Sequence, residues 1–475
     1  MRHTPIALLL SLIAPACGND RRPQNNDDTR STDVANDTSP VPDDGLGEVD
    51  TSDATSDTSQ DAASSLAPNV SEVLAETCPV KENNLRWSAP SGSELQKLTL
   101  DAPLALCNDG SPAIAYVRAA SSEAHTNRWV FHLQGGGGCA SHDECEARWC
   151  GDQGLYDAAK MSSRWAKPTM GAPGLFKREA GNAPGQWNQV FVYYCSSDMW
   201  LGQNEINLTG ADGQVYSLHA RGHQILEGLL DRLDTGASSD SGDIKLPKLA
   251  DAEVILWTGA SAGAVGASQH LDHVAERYPE AQVAGVFDNA FGPDNDAFSE
   301  EVQDGANARF EQTQRDFYLP ARAFYDASCV ASYPSDEPWR CSGSGMRLDH
   351  ITTPFFQRQD LRDPTASQGL ISLGATIEVW ASAVREALLR LADIPTTAAE
   401  KDDIVRAPGI YATNCKQHIG TMSDDWYDGA TVEDDTGTPL TYKQALQKWL
   451  TGDDVVILDT DPATKSNCRA TNQDR

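Results

Sequence analysis

The stretch VILW at 254 to 257 is apolar at consecutive positions, and one step later the chain enters the small-residue turn GASAG at 259 to 263. A strand with one wet face alternates polar and apolar residues, whereas a continuous apolar run is covered on both faces, as in a parallel sheet between helices. Beyond the turn, AGAVGASQHLDHVAERY has helical spacing of its apolar positions. Strand, sharp turn and helix therefore follow one another within about 25 residues, which is a βα unit.

Other runs repeat the pattern: RWVFHLQ (128 to 134), NQVFVYY (188 to 194), AQVAGVF (281 to 287) and TTPFFQ (352 to 357). Helical patterns lie between and after them, clearest in HARGHQILEGLLDRL from 219 and IEVWASAVREALLRLADI from 377. Alternating strands and helices predict an α/β fold with a mostly parallel sheet flanked by helices.

The turn contains Gly259-x-Ser261-x-Gly263, the spacing of a nucleophile elbow. Flanking glycines let strand and helix pass close together while the serine hydroxyl stands clear. The following helix also aims its first N–H groups, Ala262 among them, at the space beside that hydroxyl. The alternative is a plain packing turn. A nucleophile further needs an oxyanion hole, and the loop LQGGGGC after 133 supplies candidates in the N–H groups of Gly136 and Gly137, with Ala262 as a third. Four successive glycines are costly in backbone entropy unless the freed backbone is used. Gly135-x-Gly137-x-x-Ala140 also admits a degenerate dinucleotide loop, but no acidic ribose partner on a second strand accompanies it.

On a sheet of this kind the order is nucleophile, acid, base. His418 in YATNCKQHIGTM is the only histidine after His350, beside Cys415, whose disulfide would hold it. Between the two, TTPFFQRQDLRD offers Asp360 and Asp363 as the acid.

The ends and the composition set the context. MRHTPIALLLSLIAPAC has a basic start, a short apolar core and small residues before Cys17, which predicts a signal peptide over 1–16. The apolar run is too short to span a bilayer, which takes about 20 residues. Cleavage before Cys17 predicts lipidation there, with ordinary secretion as the alternative. Removing Cys17 from the 11 cysteines leaves an even number for disulfides in an oxidising compartment. Residues 17–70 are rich in Asp, Thr, Ser, Asn and Pro and lack aromatic residues, and so predict a disordered acidic tether. Residues 71–475 form the expected folded domain. The net charge of -32 argues against nucleic acid or an anionic membrane surface as partner, leaving a lipid anchor as the only membrane contact.

Other constellations carry less. His219 with His223, and His270 with His273, have helical spacings but no H-E-x-x-H, so no metal is expected. Cys139, Cys145 and Cys150 are spaced for disulfides rather than for a zinc knuckle. The acidic run DNDAFSEE lacks a calcium-loop spacing. Trp200 and Asp198 are candidates for the rim of an acyl pocket, with Trp200 as a core residue the alternative.

HLQGGGGC, YYCSSDMWLG, WTGASAGAVGA, FDNAFGPD, TPFFQRQDLRD and NCKQHIG resemble, in that order, the landmarks of the pectinacetylesterase and Notum carboxylesterases. The resemblance runs from about residue 78 to about 425. It implies an α/β-hydrolase-like fold and a Ser261–Asp363–His418 triad that cleaves carboxylic esters, with Asp360 as the alternative acid. The oxyanion donors it implies are Gly136, Gly137 and Ala262, and no cofactor. Two departures stand out: Gln134 replaces the family's frequent glutamate, and glycines up to Cys139 replace its aromatic residue.

The expected function is that of an exported serine carboxylesterase, lipid-anchored at a bacterial cell envelope, with a freely secreted form as the alternative. Its substrate would be acetyl or longer acyl esters on an extracellular polysaccharide or other acylated molecule. The alternative is a cell-surface binding protein on the same fold with a weak or dead site.

Overall fold

The computed structural model describes residues 66–81, 85, 90–152, 156–293, 295–393, 408–459 and 466–468. The signal segment, Cys17 and the tether as far as residue 65 lie outside the described residues. Residues 66–70, expected to belong to the tether, are instead built into the fold. Val70 is fully buried, and Ser217 donates its N–H to the Pro68 carbonyl at 2.8 Å. A single apolar side chain and a few backbone bonds are enough to anchor a polar segment, and composition alone misses them.

The core is a ten-stranded sheet. In chain order its strands are β1 (Leu95–Thr99), β2 (Ile114–Arg118), β3 (Arg128–Leu133), β4 (Thr169–Met170), β5 (Asn188–Val192), β6 (Val254–Ala260), β7 (Gln282–Asp288), β8 (Phe355–Asp360), β9 (Gly409–Thr413) and β10 (Val456–Leu458). Across the sheet they run β10-β9-β8-β7-β6-β3-β5-β2-β1-β4. From β10 to β5 every pairing is parallel. The edge of β2, β1 and β4 is antiparallel. The expected strands are found, displaced at their ends by up to three residues. Thus 352–357 becomes Phe355–Asp360, because the buried run continues through Arg358 and Asp360, whose charges are paired inside the protein. In the same way 219 onward is not helical at once. Val215–Ala220 pairs with Asn204–Thr209 as a hairpin before α1 (Gly222–Asp234) begins.

The topology places the site. From β3 the chain moves to β5 on one side and later returns to β6 on the other, so the loops after β3 and β6 diverge at a switch point. The crevice outside the carboxyl ends of such strands is where ligands bind in open α/β sheets. β3 and β6 are in register with Leu133 opposite Gly259, which brings the glycine loop level with Ser261. Phe131 and Trp257 pack across this pair with ring centroids 5.1 Å apart, fixing the two strands to each other.

Ten cysteines form the disulfides Cys78–Cys150, Cys107–Cys195, Cys139–Cys145, Cys329–Cys341 and Cys415–Cys468. Cys17, the eleventh, lies outside the described residues. No helix among the described residues is long and apolar enough to cross a membrane.

Candidate active site

Ser261 caps α2 (Ala262–Arg277) with φ 55° and ψ -124°, a conformation that costs a non-glycine residue of order 1–3 kcal/mol. The strain is held by its surroundings. Its N–H donates to the Asp288 carbonyl at 2.8 Å, tying the turn to the end of β7. A Cβ on Gly259 would lie 2.0 Å from the Gly263 carbonyl oxygen, and one on Gly263 would lie 1.9 Å from that of Leu133. Neither position admits any other residue, which explains why the turn is flanked by glycine on both sides.

His418 Nε2 lies 2.7 Å from Ser261 Oγ, and His418 Nδ1 lies 2.7 Å from Asp363 Oδ2. Asp363 is fully buried, and its Oδ1 accepts from the N–H groups of Thr365 (2.8 Å) and Ala366 (3.0 Å). Both oxygens of the carboxylate are therefore directed. Asp360 does not reach His418. It accepts from Arg358 at 2.6 Å, from Asn289 at 3.2 Å and from the Thr413 hydroxyl. Burial pushes its carboxyl up to about 7 despite the Arg358 charge.

The loop bearing His418 is fastened from two sides. Cys415 is bonded to Cys468, and Asp288 Oδ2 accepts from Gly420 N, Thr421 N and Thr421 Oγ1, each at 2.7 Å. Arg358 Nη1 donates to the other Asp288 oxygen at 3.0 Å. Arg358 thus bridges two buried carboxylates, and removing one partner of such a network typically costs about 3–5 kcal/mol. Sequence reasoning singled out FDNAFGPD only as a landmark, and nothing local to Asp288 signals that it holds a loop 132 residues away.

Gly136 (φ 145°) and Gly137 (φ 59°) adopt backbone conformations that favour glycine. Among the described residues, their N–H groups and that of Ala262 have no protein acceptor. At Gly138 a Cβ would lie 2.8 Å from the Ser197 carbonyl oxygen, so this position admits no side chain. Beneath the loop is Lys160, buried, with Nζ donating to the Gly135 carbonyl at 2.9 Å. Burial lowers its pKa well below the usual lysine range, with the nearby Arg148 charge adding to the effect. The run AAKMSS gave no sign of this lysine.

Trp200 is not at a rim. It is fully buried, with its indole N–H on the Gln134 carbonyl at 3.1 Å, under the same loop. Its flat ring fills the space left by Gly266, where a Cβ would lie 2.5 Å from the tryptophan Cβ. Asp198 is likewise internal. It accepts from Ser196 Oγ and from the N–H groups of Trp200, Gly202 and Gly222, while burial pushes its carboxyl up to about 6. The paired histidines also serve internal contacts: His223 Nδ1 meets His270 Nε2 at 2.9 Å, and His219 faces Glu205 at 3.3 Å. Among the described residues, the metal-type side chains that come together are His142, Asp143 and Glu146, which are not among the pairs considered above.

A cleft partly open to solvent adjoins the site. Its walls include Val265, whose N–H reaches back to the Ser261 carbonyl at 3.1 Å, and Ala366, which donates to Asp363. Met199, Leu201, Phe310 and Leu370 make most of the remainder apolar.

The pectinacetylesterase family model matches residues 93–469. The palmitoleoyl-protein carboxylesterase NOTUM of Homo sapiens is 31% identical over 274 residues, covering 54% of this chain and 48% of the human one. That of Drosophila melanogaster is 27% identical over 363 residues, covering 73% of this chain and 48% of its own. The chain thus spans about half the length of the curated relatives it matches. The solved structure of the Wnt deacylase Notum from Drosophila superimposes with a TM-score of 0.59 at 23% identity, covering 78% of this chain and 97% of that one. The shared architecture is the α/β-hydrolase fold.

Proposed function

The chain belongs to the pectinacetylesterase family, and from that premise we propose that it is an exported serine carboxylesterase that cleaves acyl esters on an extracellular polysaccharide or another acylated molecule. The observation that carries this reading is the unbroken relay of two 2.7 Å contacts from Ser261 through His418 to Asp363. The alternative of a binding protein with a dead site has no use for such a relay.

In this mechanism Ser261 Oγ attacks the ester carbonyl carbon while His418 Nε2 takes the hydroxyl proton. Asp363 holds Nδ1–H and so fixes the tautomer that leaves Nε2 free to accept. The carbonyl oxygen, now an alkoxide, is held by the N–H groups of Gly136, Gly137 and Ala262, each worth about 2.7–4 kcal/mol of barrier lowering in comparable sites. Collapse expels the alcohol, which takes its proton from His418. Water then attacks the acyl-enzyme with His418 again as base, and the carboxylic acid leaves with Ser261 restored. No step calls for a cofactor.

The apolar cleft beside Ser261 suits an acyl chain longer than acetyl. Export rests on the signal pattern before Cys17 and on the disulfides, which belong to an oxidising compartment. The anchor would be a lipid on Cys17, with the acidic stretch as spacer. The test is hydrolysis of p-nitrophenyl esters from acetate to long acyl chains by the full chain, beside Ser261→Ala. Activity that disappears in the variant is the expected result. Activity that persists in it would remove Ser261 as nucleophile.

A further inference from the structure

The cleft beside Ser261 is apolar along most of its wall, but it also includes two arginines, Arg309 and Arg347, and no carboxylate. In a chain of net charge -32 that is a marked local reversal. Arg309 is exposed and reaches the Ser372 hydroxyl at 3.0 Å. Arg347 is only 2% exposed. Its Nη1 donates to the Ser342 carbonyl at 3.0 Å, and its Nε is buried with no acceptor among the described residues.

Arg347 forms no ion pair within 4.0 Å among the described residues. The carboxylate that acts on it from a distance, Asp326, lies beyond ion-pair reach, and its Oδ1 accepts from Ser328 Oγ at 2.6 Å and Cys329 N at 3.0 Å. Burial lowers the guanidinium to about 10, so it is still charged at neutral pH. On the same cleft wall, the buried indole Nε1 of Trp380 also lacks an acceptor. A buried cation without a counter-ion is unfavourable, and unsatisfied donors at a ligand cavity are where a ligand's acceptors are expected. A guanidinium matches a carboxylate in geometry as well as charge.

From this we infer that the acyl group accepted by the cleft ends in a carboxylate. The substrate class is a monoester of a dicarboxylic acid, with its ester carbonyl at Ser261, its methylene chain along the apolar wall and its free carboxylate on Arg347. The inference rests on the esterase reading. Hydrolysis leaves the distal carboxylate unchanged, since only the ester bond at Ser261 breaks.

The test compares p-nitrophenyl hexanoate with mono-p-nitrophenyl adipate, which have the same chain length and differ in the distal group, with the series extended from succinate to suberate. The full chain should favour one of the carboxylated esters over its neutral counterpart by at least about tenfold in kcat/KM, and Arg347→Met should reverse that order. Equal rates in the unmodified protein, or a preference that survives Arg347→Met, would overturn the inference while leaving the esterase intact. If no ester is hydrolysed, the esterase reading itself fails. Calorimetry on Ser261→Ala then decides the cleft separately: monomethyl adipate should bind at least about tenfold more tightly than methyl hexanoate, and equal binding refutes the assignment.

Discussion

Lys160 Nζ donates to the carbonyl oxygen of Gly135 at 2.9 Å, and the peptide group it holds is the one whose N–H belongs to Gly136. A donor on the oxygen of an amide both fixes its plane and polarises its N–H. Lys160 is therefore a positioning residue for one proposed oxyanion donor. Lys160→Met keeps the buried stem and removes the donor. It should lower kcat on p-nitrophenyl esters about 10- to 100-fold with KM little changed, short of the roughly 10²–10³ for deleting a donor outright. A rise in KM at constant kcat would assign Lys160 to ground-state binding instead.

The turn at Ser261 tolerates no extra atom on its glycines, and this separates a clash from mere backbone strain. Gly263→Ala would place a Cβ 1.9 Å from the Leu133 carbonyl, backbone that cannot move without parting β3 from β6. We expect a loss above about 4 kcal/mol, seen as failure to yield folded protein or as a collapse of the urea midpoint. Gly213→Ala is the control. Its φ is 84° with nothing within 4 Å, so it should cost only about 1–2 kcal/mol.

His132 gives a pH dependence of defined sign. It is buried in β3, its ring stacked on Phe191 and its Nδ1 2.9 Å from the Thr258 hydroxyl, and burial lowers its pKa to about 4. Between pH 6.5 and about 4 the unfolded chain binds a proton there that the folded chain does not. Stability from this residue is therefore complete above pH 6.5 and is lost as pH falls to about 4, by about 3 kcal/mol in all. Asp198 and Asp360, raised to about 6 and about 7, act in the opposite sense. The difference between the native protein and His132→Phe isolates the histidine. Urea midpoints measured from pH 7 to pH 4 should show the native protein losing ground to the variant, and a constant difference would show that His132 does not titrate in this range.

Much of this architecture was legible because its chemistry is local. A strand, an elbow and a helix must be adjacent in sequence, and the glycine loop must follow a strand, so Ser261 and Gly136 could be placed without coordinates. His418 was legible by elimination, as the last histidine in the chain. What escaped depends on contacts between distant segments. Lys160 lies 25 residues from the carbonyl it holds. Trp200 was ambiguous because an indole serves equally at a rim or under a loop, and only the missing side chain at Gly266 makes the space that buries it. The antiparallel edge was missed because β4 has two residues, and β1, LQKLT, lacks the continuous apolar run that marks β3 and β5. The distal end of the cleft was hidden as well: nothing near Arg347 in sequence announces that its charge has no ion-pair partner among the described residues.

Asp360 and Asp363 were indistinguishable by sequence pattern alone, and their different surroundings predict different consequences of the same substitution. Asp363 directs His418 Nδ1, so Asp363→Asn should leave the fold standing and lower kcat by about 10⁴-fold through the wrong histidine tautomer. Asp360 instead neutralises Arg358, which also holds Asp288 and, through it, the backbone of Gly420 and Thr421. Asp360→Asn should cost about 3–5 kcal/mol of stability, since it leaves a buried charge with one partner. Whatever kcat it loses should follow the loosening of the His418 loop and recover as temperature is lowered. The two assignments exchange if Asp360→Asn, measured well below its unfolding temperature, shows the larger and temperature-independent loss of kcat.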